Sequence, residues 1–286
     1  MIFPRPGARP RAANWFAVVA AATAIVAATP SLAAEPFVAA TPTARVEYWQ
    51  QRLVEITRAL QHSDNLSDFR IVFLGDSITD FWTLGENPWV DNQSGGLPVW
   101  NEWFGGRVTA DRALNLGISG DRTEHVLFRL QPRSEGGLGE LDSPLLNPDV
   151  VVLMVGINNT WAAERPVADS VFSGIRAVVE AVHRRKPHAH VVLESLLPTS
   201  DEGKNRDTVR PVNRKLQELA ATSPYSEYVV YLDLYSKFVD DEGRQSASRF
   251  MDGLHPNTAG YRIWADALLP VLDNLRTSAQ QIHRQP

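Results

Sequence analysis

The chain has 286 residues, 44% of them hydrophobic and 21% charged, which supplies a sizeable core, excludes a disordered chain and fits one large domain or two small ones. With 28 Lys and Arg against 33 Asp and Glu the formal net charge is −5, so the basic excess that a phosphate backbone requires is missing and nucleic acid is excluded as a partner. The absence of cysteine excludes disulfides, thiolate metal sites and a thiol nucleophile.

Residues 1–33 differ in composition from the rest. Arg5, Arg9 and Arg11 form a basic start without an acid, an Ala- and Val-rich run follows from Trp15 to Ala28, and Ser31-Leu32-Ala33 offers the small residues of a cleavage site. This pattern predicts a secretory signal peptide cut after Ala33 or Ala34. The alternative, a membrane anchor, is disfavoured because a run of about 14 residues is short against the roughly 20 of a spanning helix. Removing three arginines from 28 basic residues, with all 33 acids retained, takes the exported chain to a net charge of about −8. Residues 34–286 are then expected to form a single domain, periplasmic or extracellular, without stable membrane insertion.

Trp49, Leu53, Ile56 and Leu60 recur at helical spacing and predict an amphipathic helix. Apolar runs of strand length follow at Ile71 to Leu74, Ala113 to Leu116, Val150 to Val155, Val191 to Leu197 and Tyr228 to Leu234. Continuous apolar runs suit strands buried on both faces, as in a parallel sheet. Helical stripes lie between and after them, at Val171 to Val182, Val212 to Leu219 and Tyr261 to Leu275. The alternation predicts a doubly wound α/β domain with about five parallel strands and helices on both faces.

In such a fold the ligand site lies at the carboxyl ends of the strands. The first run ends in Gly75-Asp76-Ser77-Ile78-Thr79, the second in Gly117-Ile118-Ser119-Gly120-Asp121 and the third in Gly156-Ile157-Asn158-Asn159. A serine nucleophile needs a base. His62, His183 and His283 fall on segments expected to face solvent, His188 and His190 in the turn before the fourth strand, and His125 inside a helical pattern as a structural residue. His255 differs, because in Asp252-Gly253-Leu254-His255-Pro256 a carboxylate three residues away can bond one ring nitrogen and leave the other for Ser77. Ser119 misses the Gly-x-Ser-x-Gly elbow of α/β-hydrolases by one position and is read as a decoy. His188-Ala189-His190 has a spacing found in metal sites but lacks a third ligand, so no metal is expected.

Four blocks, GDSIT, NLGISGD, VGINN and DGLHP, occur in the order found in the SGNH (GDSL) hydrolases, and the chain resembles that family from about residue 69 to 272. The stretch from Asn115 to Leu130 also resembles the platelet-activating-factor acetylhydrolase-like branch. The resemblance implies a three-layer, flavodoxin-like α/β/α sandwich and ester hydrolysis. It implies Ser77, Asp252 and His255 as catalytic residues, oxyanion donors at Ser77, Gly117 and Asn158, and no cofactor. Many members carry Asp where this chain has Asn159, and Gly85 to Pro98 resembles an insertion just after the nucleophile, placed to shape the substrate site. The tryptophans near the blocks, Trp82, Trp89, Trp100, Trp103 and Trp161, suit sugar stacking as well as packing. The expected substrate is a small-molecule or saccharide ester carrying acetyl or another short acyl group. A lipid-directed esterase and a non-catalytic carbohydrate-binding module remain as alternatives.

Overall fold

The computed structural model describes residues 36–45, 49–62, 66–106, 112–162 and 164–282. The expected signal peptide and His283 lie outside the described residues. Five strands form one parallel sheet: β1 (Ile71–Gly75), β2 (Ala113–Asn115), β3 (Val150–Met154), β4 (His190–Glu194) and β5 (Val229–Leu232), ordered β2-β1-β3-β4-β5. This is the flavodoxin-like order, with its switch point between β1 and β3. Both strands at that point are buried at every position, as strands covered on both faces must be.

Each apolar run became a strand, but all except β1 end sooner than the run. The fourth run continues to Leu197, whereas β4 stops at Glu194. Leu196 instead gives its N–H to Asn213 Oδ1 at 2.8 Å and accepts from Asn213 Nδ2 at 2.9 Å, so a side-chain amide takes over the backbone pairing that a further strand would supply. At the other end His190 opens β4 instead of lying in the preceding turn.

The helices are α1 (Gln50–His62), α2 (Ser77–Asp80), α3 (Leu97–Trp103), α4 (Thr123–Leu130), α5 (Val167–Arg185), α6 (Glu202–Lys204), α7 (Arg210–Ala220) and α8 (Thr258–Ile282). Right-handed crossovers in this strand order put α3 and α8 together on one face and α4, α5 and α7 on the other. The predicted stripes became α1, α5, α7 and α8. The seven-residue α3, flanked by glycines and opening on Leu97-Pro98, carries no such stripe. Under it lies an aromatic cluster in which Phe73 meets Trp82, Trp100 and Phe104 edge-on at 5.0–5.7 Å. Trp82 and Trp100 therefore belong to the core. His183, expected to face solvent, stacks on Tyr228 at 3.7 Å. No described helix is long and apolar enough to cross a membrane.

Candidate active site

The pairing register sets Gly75 opposite Met154 and Phe73 opposite Asn115, so the carboxyl ends of β2, β1 and β3 lie side by side and deliver three of the four sequence blocks to one edge. Beyond β1 the Asp76 side chain accepts from the Ile78 N–H at 3.0 Å and caps α2. Ser77 thereby becomes the first helical residue, whose N–H has no partner within the helix. Its hydroxyl is nearly buried, at 6% residue exposure.

The fourth block reaches the same edge from the far end of the chain. His255 Nε2 lies 2.9 Å from Ser77 Oγ, across 178 residues of sequence. Its Nδ1 lies 2.7 Å from Asp252 Oδ2. The tautomer that gives Nδ1–H to Asp252 leaves Nε2 to accept the serine proton. Asp252 Oδ1 also accepts the backbone N–H groups of Leu254 and His255 at 3.0 and 2.8 Å, a local turn that folds the carboxylate back onto its own histidine. Partial burial acts to raise the Asp252 pKa, but the hydrogen bonds from His255, the charge of a protonated imidazole and the Leu254 N–H outweigh it and bring it down to about 2.

The expected oxyanion donors separate into two groups. Asn158 gives one amide hydrogen to the Asp121 carbonyl at 2.8 Å, which orients the side chain and leaves its second hydrogen available. Gly117 does not fit its expected role. Its N–H is occupied by Asn115 Oδ1 at 2.8 Å, and its glycine identity has a packing cause, since a Cβ there would lie 2.3 Å from the Asp80 nitrogen. Gly120, three residues on, holds φ +80° and its N–H is donated to no group among the described residues. The pattern Gly117-Ile118-Ser119-Gly120 contains both glycines, and the Asn115 contact occupies the N–H of the first alone.

The loop carrying Gly120 is fixed from beneath. Arg129, fully buried, pairs with Asp121 at 2.7 Å and Glu140 at 2.8 Å and bonds the Leu116 carbonyl. Trp49 Nε1 and Arg45 also donate to Asp121, at 3.0 and 2.9 Å. Ser119 Oγ donates to Asp80 at 2.7 Å, so its hydroxyl proton goes to a carboxylate, as suits a decoy. Asn159 accepts from the Thr123 N–H at 3.0 Å and donates to Glu124 at 2.7 Å. An aspartate there would oppose one buried carboxylate to another, which accounts for the amide. His125 accepts from the Arg122 N–H at 3.0 Å and is structural. No group of three metal-ligating side chains occurs among the described residues.

A parallel sheet whose switch point carries a serine, an imidazole and a carboxylate in hydrogen-bond sequence is the architecture of ester hydrolases on flavodoxin-like scaffolds. Residues 73–263 match the model of the GDSL-like lipase/acylhydrolase family, and the chain belongs to that family. It is 34% identical over 212 residues to the platelet-activating factor acetylhydrolase IB subunit alpha1 of Bos taurus, covering 73% of this chain and 78% of the relative. The alpha2 subunit of Rattus norvegicus is 32% identical over 192 residues, covering 67% and 70%. Among solved structures, a GDSL-like lipase from Bacteroides thetaiotaomicron superposes with a TM-score of 0.55 at 19% identity, covering 79% of this chain and 98% of that one.

Proposed function

We propose that the chain is an exported serine esterase that removes acetyl or other short acyl groups from carbohydrate esters. The observation that carries the chemistry is the contact sequence from Ser77 Oγ to His255 at 2.9 Å and on to Asp252 at 2.7 Å. Ser77 Oγ attacks the ester carbonyl carbon while His255 Nε2 takes its proton, and ionised Asp252 stabilises the imidazolium. The carbonyl oxygen gains negative charge, which the N–H groups of Ser77 and Gly120 and the free amide hydrogen of Asn158 would meet. The carbon–oxygen bond to the alcohol then breaks, and His255 returns the proton to the departing alkoxide. Water attacks the acyl-serine by the same route, giving the carboxylic acid and free Ser77. The residues call for no metal or cofactor in this sequence of steps.

A short acyl group is supported by the acetylhydrolase activity named for the relatives at 34% identity. Their named substrate also favours a second reading, an esterase directed at lipid. Export rests on residues 1–33 as a cleaved leader, with 34–286 as the hydrolase domain; N-terminal sequencing of the secreted protein at Ala34 or Glu35 checks it.

The deciding measurement is a panel of acetylated xylan, acetylated monosaccharides and esters of rising acyl length, run with the purified protein and its Ser77→Ala variant. Acetate release from the sugar esters, absent in the variant, is expected. Preference for long acyl chains, or rates that rise on micelles, supports the lipid reading instead. Equal rates in both proteins reject Ser77 as nucleophile, and binding without turnover in both supports a binding module.

A further inference from the structure

Phe81, whose ring neighbours that of His255, also lines an open cleft of about 430 Å³. Its walls come from four places: α1 and its leading residue, with Trp49, Arg52 and Glu55; the end of α2 and the turn after it, with Asp80 and Phe81; the segment 85–96, with Trp89; and the loop after β2, with Ser119. Two ring contacts connect it to the candidate catalytic imidazole. Phe81 lies 4.9 Å from the His255 ring, and Trp89 stacks on Phe81 at 5.8 Å and 22°.

Trp89 is 71% exposed, yet its loop is closed by hydrogen bonds. Gly95 donates to the Gly85 carbonyl and Gly96 to the Phe81 carbonyl, each at 2.9 Å. Thr258 Oγ1 donates to the Gly95 carbonyl at 2.7 Å. Asn87 Oδ1 accepts the Trp89 and Val90 N–H groups at 2.8 and 3.1 Å. An indole that core packing does not cover, on a backbone tied at several points, is a stacking surface whose ordering cost is met before any ligand arrives.

The charges of the cleft discriminate among ligands. The Arg52 guanidinium is engaged by Asp80 and Glu55 at 3.0 Å each and by the carbonyls of Asn115 and Gly117 at 3.0 and 3.2 Å. A phosphate would therefore meet an already neutralised cation and the half-exposed Glu55 carboxylate. A hydrocarbon chain would desolvate Asp80 and Glu55 without giving them a hydrogen bond. A neutral ring with an apolar face and a rim of hydroxyls meets neither cost, since its face covers the indole and its hydroxyls donate to carboxylates. An acetyl group is far too small to need this volume.

We propose that this cleft is the subsite for the alcohol part of the ester, a pyranose ring stacked on Trp89 with hydroxyls directed to the half-exposed Glu55 carboxylate. The assignment rests on the carbohydrate-ester reading above and adds to it the place of the sugar.

The test compares wild type, Trp89→Ala and Trp89→Phe on two acetate esters, a mono-O-acetylated methyl xyloside and ring-free ethyl acetate. The ratio of kcat/KM for the xyloside to that for ethyl acetate is expected to fall about tenfold in Trp89→Ala, through KM, and to recover most of that in Trp89→Phe. An unchanged ratio overturns the subsite: Trp89 then acts only as a support for Phe81 and His255, or the sugar binds elsewhere. A wild type that turns over ethyl acetate but not the xyloside overturns the carbohydrate reading itself and the subsite with it, a result distinct from xyloside turnover that ignores Trp89.

Discussion

The Asp252 carboxylate holds His255 at two points, accepting its backbone N–H at 2.8 Å and lying 2.7 Å from its ring Nδ1. The imidazole is thus fixed in position as well as in tautomer. Asp252→Asn presents an N–H where the ring must donate, so the other tautomer is favoured and Nε2 no longer accepts from Ser77. A fall in kcat of about 10⁴-fold is expected with the fold intact, read by ester hydrolysis alongside circular dichroism.

The same pair sets an acid limit on stability. Asp252 is held at about 2 in the fold against an ordinary 3.8. A depressed carboxyl pKa contributes stability above the unfolded value and loses it as pH falls through the folded one. Urea midpoints should therefore fall between about pH 4 and 2 by less in Asp252→Asn than in wild type.

Asn158 and Gly117 predict opposite phenotypes. If Asn158 is the oxyanion donor proposed above, Asn158→Ala should lower kcat by about 10²–10³-fold with little change in KM. Gly117→Ala forces a methyl group against the Asp80 nitrogen, 2.3 Å from an ideal Cβ. Its main effect should be a stability loss of about 1–3 kcal/mol, measured by denaturant unfolding. Unchanged stability in Gly117→Ala would remove the packing reason for this glycine.

Arg129 supports the turn between β2 and α4. Arg129→Met leaves Asp121 and Glu140 buried without their shared cation, and breaking a buried pair in this way costs about 3–5 kcal/mol. Thermal unfolding should shift down accordingly, while the double change Arg129→Met with Glu140→Leu should recover part of the loss.

Glu194 lies under α8, where Trp264 Nε1 donates to it at 2.6 Å and its second oxygen has no partner among the described residues. Burial pushes its pKa up from 4.5 to about 8, against the lowering effect of the Trp264 bond. Between those values the unfolded chain releases a proton that the folded chain keeps, so stability falls as pH rises, by up to about 1.4 kcal/mol per pH unit. Glu194→Gln should flatten this slope in urea titrations run between pH 5 and 8.

Much of the fold is legible along the chain because burial leaves a local signature. The runs at Ile71, Val150 and Val191 read directly as central strands, and the stripes at Val171 and Tyr261 as α5 and α8. The blocks around Ser77, Asn158, Asp252 and His255 could be placed at strand ends or loops from the same pattern. The short α3 could not, since seven residues with Pro98 near their start carry too little periodicity to register.

The sequence by itself determined the strand-and-helix alternation, the absence of a thiol nucleophile and the pairing of Asp252 with His255, because each depends on residues close together in the chain or on composition alone. Tertiary structure decided which backbone donors are free and which tryptophans meet solvent. Gly117 and Gly120 look alike in sequence until Asn115 folds back onto one of them, and Trp82 is enclosed by Phe73, Phe104 and α8 while Trp89, stacked on Phe81, meets open water. Such outcomes depend on contacts between separate segments, and only the packed sheet with its helices brings those segments into reach.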